Sequence, residues 1–138
     1  MGLAVQESRR MTGALRIFFD GGCRPNPGEM ETAVVAGGIL HHRRGLGHGS
    51  SEQAEWLALL HALQVAKALG ATVVEALGDS ASVINQARGV SKCRKPELRR
   101  CLEAFEDEAR HFASLRVRHV KRTQNLAGIA LAKARDFP

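Results

Sequence analysis

Three acids stand where the sequence changes its pattern, and together they suit one chemistry. Asp20 closes the apolar run ALRIFFD (14–20) ahead of Gly21-Gly22. Glu55 falls in the polar opening of a long segment of helical periodicity, and Asp79 follows the apolar run 72–77 and precedes Ser80. Groups that lie just beyond strand ends in an open sheet converge on one crevice. Carboxylates gathered there repel one another, and hard divalent cations relieve the repulsion, with Mg2+ or Mn2+ favoured by open oxygen ligation. Two such ions, roughly 3.5–4 Å apart, can activate a water and stabilise the leaving oxygen of an in-line displacement at phosphorus. Taken singly, each acid also has a structural reading. Asp20 suits a turn, Glu55 complements a helix dipole, and Asp79 caps a helix.

The elements that must position these acids can be read from periodicity. The run 14–20 is short and rich in β-formers, so it predicts a buried strand ending at Gly21-Gly22. After the turn-rich CRPNPG, residues 32–42 predict a second strand, with Gly37-Gly38 as a bulge, and residues 43–50 a third, more polar one. Connections this short imply antiparallel pairing. Residues 51–69 predict a helix capped by Ser51, with Glu52 and Glu55 in its first turn and Gly70 as its stop. Trp56, Leu60 and Leu63 supply its apolar stripe.

A fourth strand over 72–77 leads into a short helix that begins at Asp79-Ser80 and stops near Gly89. Pro96 lies near the start of the next helix, whose Leu98, Cys101, Leu102, Phe105, Ala109 and Phe112 share one face. LRVRHV (115–120) alternates as a strand, and 125–135 closes the chain as a helix. The expected fold class is α/β, with a five-stranded mixed sheet, its first three strands antiparallel, flanked by helices.

The 138 residues suffice for one domain over 14–138 behind a loose leader over 1–13. Net charge is +6; Arg9 and Arg10 against Glu7 leave only +1 in the leader, so the body carries +5. That excess favours a polyanionic partner. Cys23, Cys93 and Cys101 form neither a paired framework nor a zinc motif. With no signal-like or membrane-spanning apolar run, the expected setting is the reducing cytoplasm, and the expected state is a monomer without a membrane partner.

The local strings then narrow the reading. FDGGCRPNPG (19–28) resembles the opening signature of the type I ribonucleases H, and SSEQAEWLALLHAL (50–63) is similar to that family's Thr-Asn-Asn-x-x-Glu helix start. GDSASVINQARG (78–89) is similar to its Gly-Asp-Ser helix start, and HVKRTQNLAGIALA (119–132) to its final strand and helix. The resemblance spans 14 to about 135 in the family's order. It implies a ribonuclease H-like fold and a divalent-metal-dependent endonuclease that cuts the RNA strand of RNA–DNA hybrids, leaving 5′-phosphate and 3′-hydroxyl ends. It implies that Asp20, Glu55 and Asp79 are both catalytic and metal-binding, with two Mg2+ (or Mn2+) ions, and that Glu55 lies near the ribose 2′-hydroxyl. Asn26, Ser50 and Ser51 match positions that hold nucleic acid.

The departures are as informative. The family's fourth metal-binding Asp aligns with Ile129, which cannot ligate a cation. Asp136 lies seven residues further, about 10 Å along a helix, and His119 is more readily a structural or solvent-facing residue than a substitute. Ser51-Glu52 replaces a pair of Asn residues, and Ala81 replaces a frequent Gln. The alternative reading is therefore a weak or inactive module that binds hybrid or duplex nucleic acid. Among the basic residues, Lys92, Arg94 and Lys95 with Arg99 and Arg100 are the expected phosphate contacts. The group Arg116, Arg118, Lys121 and Arg122 serves equally well as solvated surface. His41 to Arg44 read as an exposed turn rather than a metal cluster, since adjacent strand residues face opposite ways.

Overall fold

A computed structural model describes residues 14–136; the leader expected over 1–13 lies outside the described residues. Strands β1 (Leu15–Arg24), β2 (Gly28–Ala36), β3 (Ile39–Arg43) and the two-residue β4 (His48–Gly49) precede helix α1 (Ser51–Ala68). Then follow β5 (Val73–Gly78), α2 (Ala81–Ala87), α3 (Pro96–Ala109), β6 (Ser114–His119), a 3-10 turn (Arg122–Gln124) and α4 (Leu126–Asp136). The sheet runs β3-β2-β1-β5-β6, with β4 paired to β2. β1, β2 and β3 are antiparallel, while β5 lies parallel to both β1 and β6, so the expected mixed sheet forms.

Three boundaries differ from the expectation, each for a local reason. β1 does not stop at Gly21-Gly22, because β2 continues as its partner: Gly21 pairs with Thr32, Gly22 with Glu31 and Arg24 with Glu29. Gly37-Gly38 is not a bulge but a two-residue hairpin, both glycines at positive φ (58° and 76°), the geometry that matches strand twist. The second strand therefore ends at Ala36, and His41 to Arg43 lie within β3 rather than in a turn. His42 is held there by Glu31, Nε2 to Oε1 at 2.8 Å.

The principal core lies between the sheet and helices α1 and α3. Ile17, Phe19, Val34, Val74 and Ala76 of the strands meet Trp56, Leu59 and Leu63 of α1 and Leu98 and Phe105 of α3. Trp56 is fully buried, stands edge-on to Phe105 at 6.0 Å, and donates its indole N–H to Gln86 Oε1 at 2.9 Å. That bond satisfies the one polar atom a buried indole brings. On the opposite face α4 packs Ala127 and Leu131 on Ala33 and Val35. α4 therefore crosses β1 and β2 from the side opposite α1. No helix among the described residues is long and apolar enough to cross a membrane.

Candidate active site

The sheet delivers Asp20 and Asp79 together by its register. Phe18 is the last β1 residue paired with β5, opposite Leu77. Two residues further along each strand, the chains part, and Asp20 and Asp79 face the gap. Glu55 arrives from α1, which presses on β1 at Gly21. A Cβ there would stand 2.1 Å from the Ala54 carbonyl oxygen, so only glycine permits the approach. The Gly21 N–H then donates to Glu55 Oε1 at 2.5 Å. One oxygen from each of the three acids lies within 4.8 Å of the others.

These acids line a cavity of about 500 Å³ whose rim includes Ser51, Glu52, Ser80, Ser82 and Arg122 and whose α4 wall is Gly128, Leu131, Ala132 and Arg135. Burial raises the Asp20 carboxyl pKa first, and the Asp79 charge adds to it, against the hydrogen bond from Glu55 and the positive fields of Arg135 and Arg122. Burial likewise raises Glu55, then the Asp20 and Asp79 charges add, with the Gly21 N–H opposing. Glu55 is the more deeply buried of the two and the natural holder of a proton when no cation is present. A buried, mutually repelling set of three hard oxygen donors fits a divalent cation, which would remove the repulsion that now raises both groups.

Asn125 belongs to this site, although the sequence marked it only as a helix start. It is fully buried, and its Nδ2 donates to Asp79 Oδ2 at 2.9 Å and to the Phe19 carbonyl at 3.0 Å. Its Oδ1 accepts from Ala127 N at 3.1 Å, so one side chain caps α4 and fixes an acid. An Asn immediately before an apolar helix was the available signal, but its cap role masked the second one. Arg122, weighed only as surface, lines the cavity.

The remaining expected residues fall into two places. The N-cap of α1 is Ser50, not Ser51: the Ser50 hydroxyl accepts from Gln53 N at 3.0 Å. Ser51 is instead tied to the Asn26 amide, which accepts from Ser51 N at 3.1 Å and donates to Ser51 Oγ at 3.0 Å. The shift of one residue turns the Ser51 hydroxyl to the cavity rim. Lys95 pairs with Glu52 at 3.6 Å, and Glu52 also accepts from Ser82 Oγ and from Gln86 Nε2. Lys92 and Arg94 line a separate groove behind α2 with Cys93 and Arg99. His119 is exposed and does not line the cavity.

Among the described side chains α4 brings no carboxylate to the cavity, and the side chain of Asp136, weighed as a substitute, lies outside them; the residue that faces the acids is Gly128. A Cβ there would lie 3.5 Å from Asp20 Oδ2 and 3.6 Å from Asp79 Oδ2. Ile129, the aligned position, is 39% exposed and does not line the cavity. The helix turns about 100° per residue, so neighbours cannot both face the same gap.

Comparison with known proteins gives consistent results. The family model described as "Reverse transcriptase-like" matches residues 31–135. A ribonuclease HI of Halobacterium salinarum is 33% identical over 125 residues, which is 87% of this chain and 63% of that protein. A bifunctional protein of Mycobacterium tuberculosis is 30% identical over 84% of this chain, but only 34% of its own length is matched. This chain thus spans less than two thirds of the length of these relatives. The crystal structure of the Halobacterium salinarum RNase H1 superposes with a TM-score of 0.81 at 30% identity, covering 90% of this chain and 98% of that one. LC11-RNase H1, solved in complex with an RNA/DNA hybrid, gives 0.75 at 27% identity, covering 88% and 99%.

Proposed function

Because the chain belongs to the reverse transcriptase-like family and is a ribonuclease HI-like domain, we propose that it hydrolyses the RNA strand of RNA–DNA hybrids at the Asp20-Glu55-Asp79 cavity. The observation that carries this reading is the convergence of those three acids within 4.8 Å. Asp20, Glu55 and Asp79 would hold Mg2+ or Mn2+, which when bound polarises the phosphate and lowers the pKa of a water. The Gly21 N–H orients Glu55, and Asn125 holds Asp79, so two of the three carboxylates are fixed before substrate arrives. Such preorganisation removes reorganisation cost from the chemical step. Ser51, steadied by Asn26, stands at the rim where a strand would enter, and Lys95 with Lys92 and Arg94 offers phosphate contacts beyond it. The three free thiols suit a reducing, cytoplasmic setting.

One observation favours a second reading. With Gly128 facing the acids and Ile129 beside it, no fourth carboxylate among the described side chains supports the ions, and the domain would then bind hybrid without cutting it efficiently. Substrate choice separates the possibilities. Labelled RNA–DNA hybrid, duplex DNA and duplex RNA are each incubated with the protein in Mg2+, in Mn2+ and in chelator. The nuclease reading expects only the RNA of the hybrid to be cut, and only with metal. Retention of hybrid with no product in either metal selects the binding module.

A further inference from the structure

Among the described side chains, the α4 wall brings the cavity a cation rather than a carboxylate. Arg135 lies on the same helix face as Gly128 and shares the cavity with the three acids. Its Nε donates to Glu31 Oε2 at 3.1 Å, and the other oxygen of Glu31 pairs with His42 at 2.8 Å. Arg135 and Glu31 are 21% and 17% exposed in their side chains, so this pair is far better shielded than ordinary surface pairs. The guanidinium meets Gly22, two residues beyond Asp20, end-on through Nη2: a Cβ there would stand 2.3 Å from Nη2 but 3.3 Å from Cζ and 3.6 Å from Nη1. Nη2 is buried and finds no hydrogen-bond partner. With Nε committed to Glu31 and Nη2 closed off against Gly22, Nη1 is the arm of the fork left for an acceptor in the cavity. A guanidinium keeps its charge at every working pH, so one free N–H arm beside the cavity is a strong donor to a phosphate oxygen.

We propose that Arg135 is a phosphate-binding residue of the cavity. It takes a non-bridging phosphate oxygen of the bound strand on the α4 flank, so that the site works with one divalent ion and one guanidinium rather than with two ions. Glu31, braced by His42, is its positioning residue. The inference rests on the nuclease reading and adds to it a substrate contact and an ion count.

The test uses Arg135→Gln, which keeps a hydrogen bond for Glu31 while removing the charge, and Arg135→Lys, which keeps the charge but not the fork. Affinity for an RNA–DNA hybrid is read by anisotropy in chelator, and Mn2+ binding by electron paramagnetic resonance titration. Arg135→Gln is expected to weaken hybrid binding about tenfold, and Arg135→Lys by less. Loss of the neighbouring positive charge is expected to tighten Mn2+ binding by roughly threefold. The wild type with hybrid is expected to bind one Mn2+ per chain. A merely structural Arg135 would lower both affinities together with the unfolding midpoint. That result, an unchanged hybrid affinity, or two Mn2+ per wild-type chain overturns the inference while leaving the nuclease reading standing. A wild type that binds neither Mn2+ nor hybrid overturns both.

Discussion

At the scale of single residues, the site is defined as much by a missing side chain as by those present. Gly128 leaves a gap directly above Asp20 and Asp79. An Asp at this position would meet only ordinary van der Waals contacts at its Cβ, and in the first turn of α4 its charge complements the helix dipole. Gly128→Asp is therefore expected to tighten Mn2+ binding by about tenfold, as one added ligand charge on a partly buried ion is worth at least a kcal/mol. Ile129→Asp, pointing away, is expected to give a smaller gain. Calorimetric titration of both variants with Mn2+ checks this, and equal gains would contradict the orientation of α4. The three acids were legible in the sequence because each sits at a change of pattern. Gly128 and Arg135 were not, because alignment by motif cannot report which face a helix turns to a cavity. Asn125 was hidden for a different reason: one residue does two jobs, and the commoner one explains its presence.

At the scale of elements, the site depends on how closely α1 lies against β1. Gly21→Ala forces its Cβ into the Ala54 carbonyl, which is backbone and cannot step aside. We expect about 3 kcal/mol of destabilisation and loss of Mn2+ binding from displaced Glu55, measured by urea unfolding and metal titration. The same closeness buries His61 on α1, whose Nδ1 hydrogen-bonds Thr32 Oγ1 on β2 at 2.8 Å. Burial lowers the His61 pKa to about 4, with the charges of Arg43, His41 and His42 adding to the effect. Between pH 6.5 and about 4 the unfolded chain binds a proton that the folded chain refuses, so stability falls as pH falls through that window. The loss is at most roughly 3 kcal/mol, and His61→Gln is expected to flatten it in denaturant melts taken across that pH range. Helix α1 and the start of α3 were readable almost to the residue, because periodicity agrees with the Gly70 stop and with Pro96 at the opening; the apolar face of α3 read on to Phe112, but the helix ends at Ala109. The β1 end and the Gly37-Gly38 hairpin were misread because glycine pairs look alike whether they break a strand, bulge it or turn it. Only the pairing of β2 decides between them.

At the scale of the whole molecule, charge sets how the domain meets its partner. The body's +5 is not spread evenly: Lys92, Arg94 and Lys95 stand together on the loop ahead of α3, close to the acid cavity's rim through the Lys95–Glu52 pair. That exposed pair at 3.6 Å is too weak to withhold Lys95 from a phosphate. Replacing all three by Ala is expected to weaken hybrid binding about tenfold or more and to flatten its dependence on salt by up to roughly three phosphate equivalents. Affinity measured across a salt series checks both. An unchanged slope would place the nucleic acid elsewhere on the surface. The mixed sheet, with α1 and α3 on one face and α4 on the other, was the most legible feature, since the order of elements fixes it. What that order leaves open is whether the site cuts, and three carboxylates, with Ile129 in the aligned fourth place and Gly128 facing the acids, make that a question of rate.

The most direct measurement is therefore cleavage itself: an end-labelled RNA–DNA hybrid under single-turnover conditions with Mg2+ or Mn2+, beside Asp20→Asn. The wild type is expected to give metal-dependent RNA fragments carrying 5′-phosphate ends, and the variant at least a hundredfold slower cleavage, about the loss seen when a key electrostatic group is removed. Hybrid that is bound but left intact, or wild type and variant that cut at the same rate, would contradict the nuclease reading.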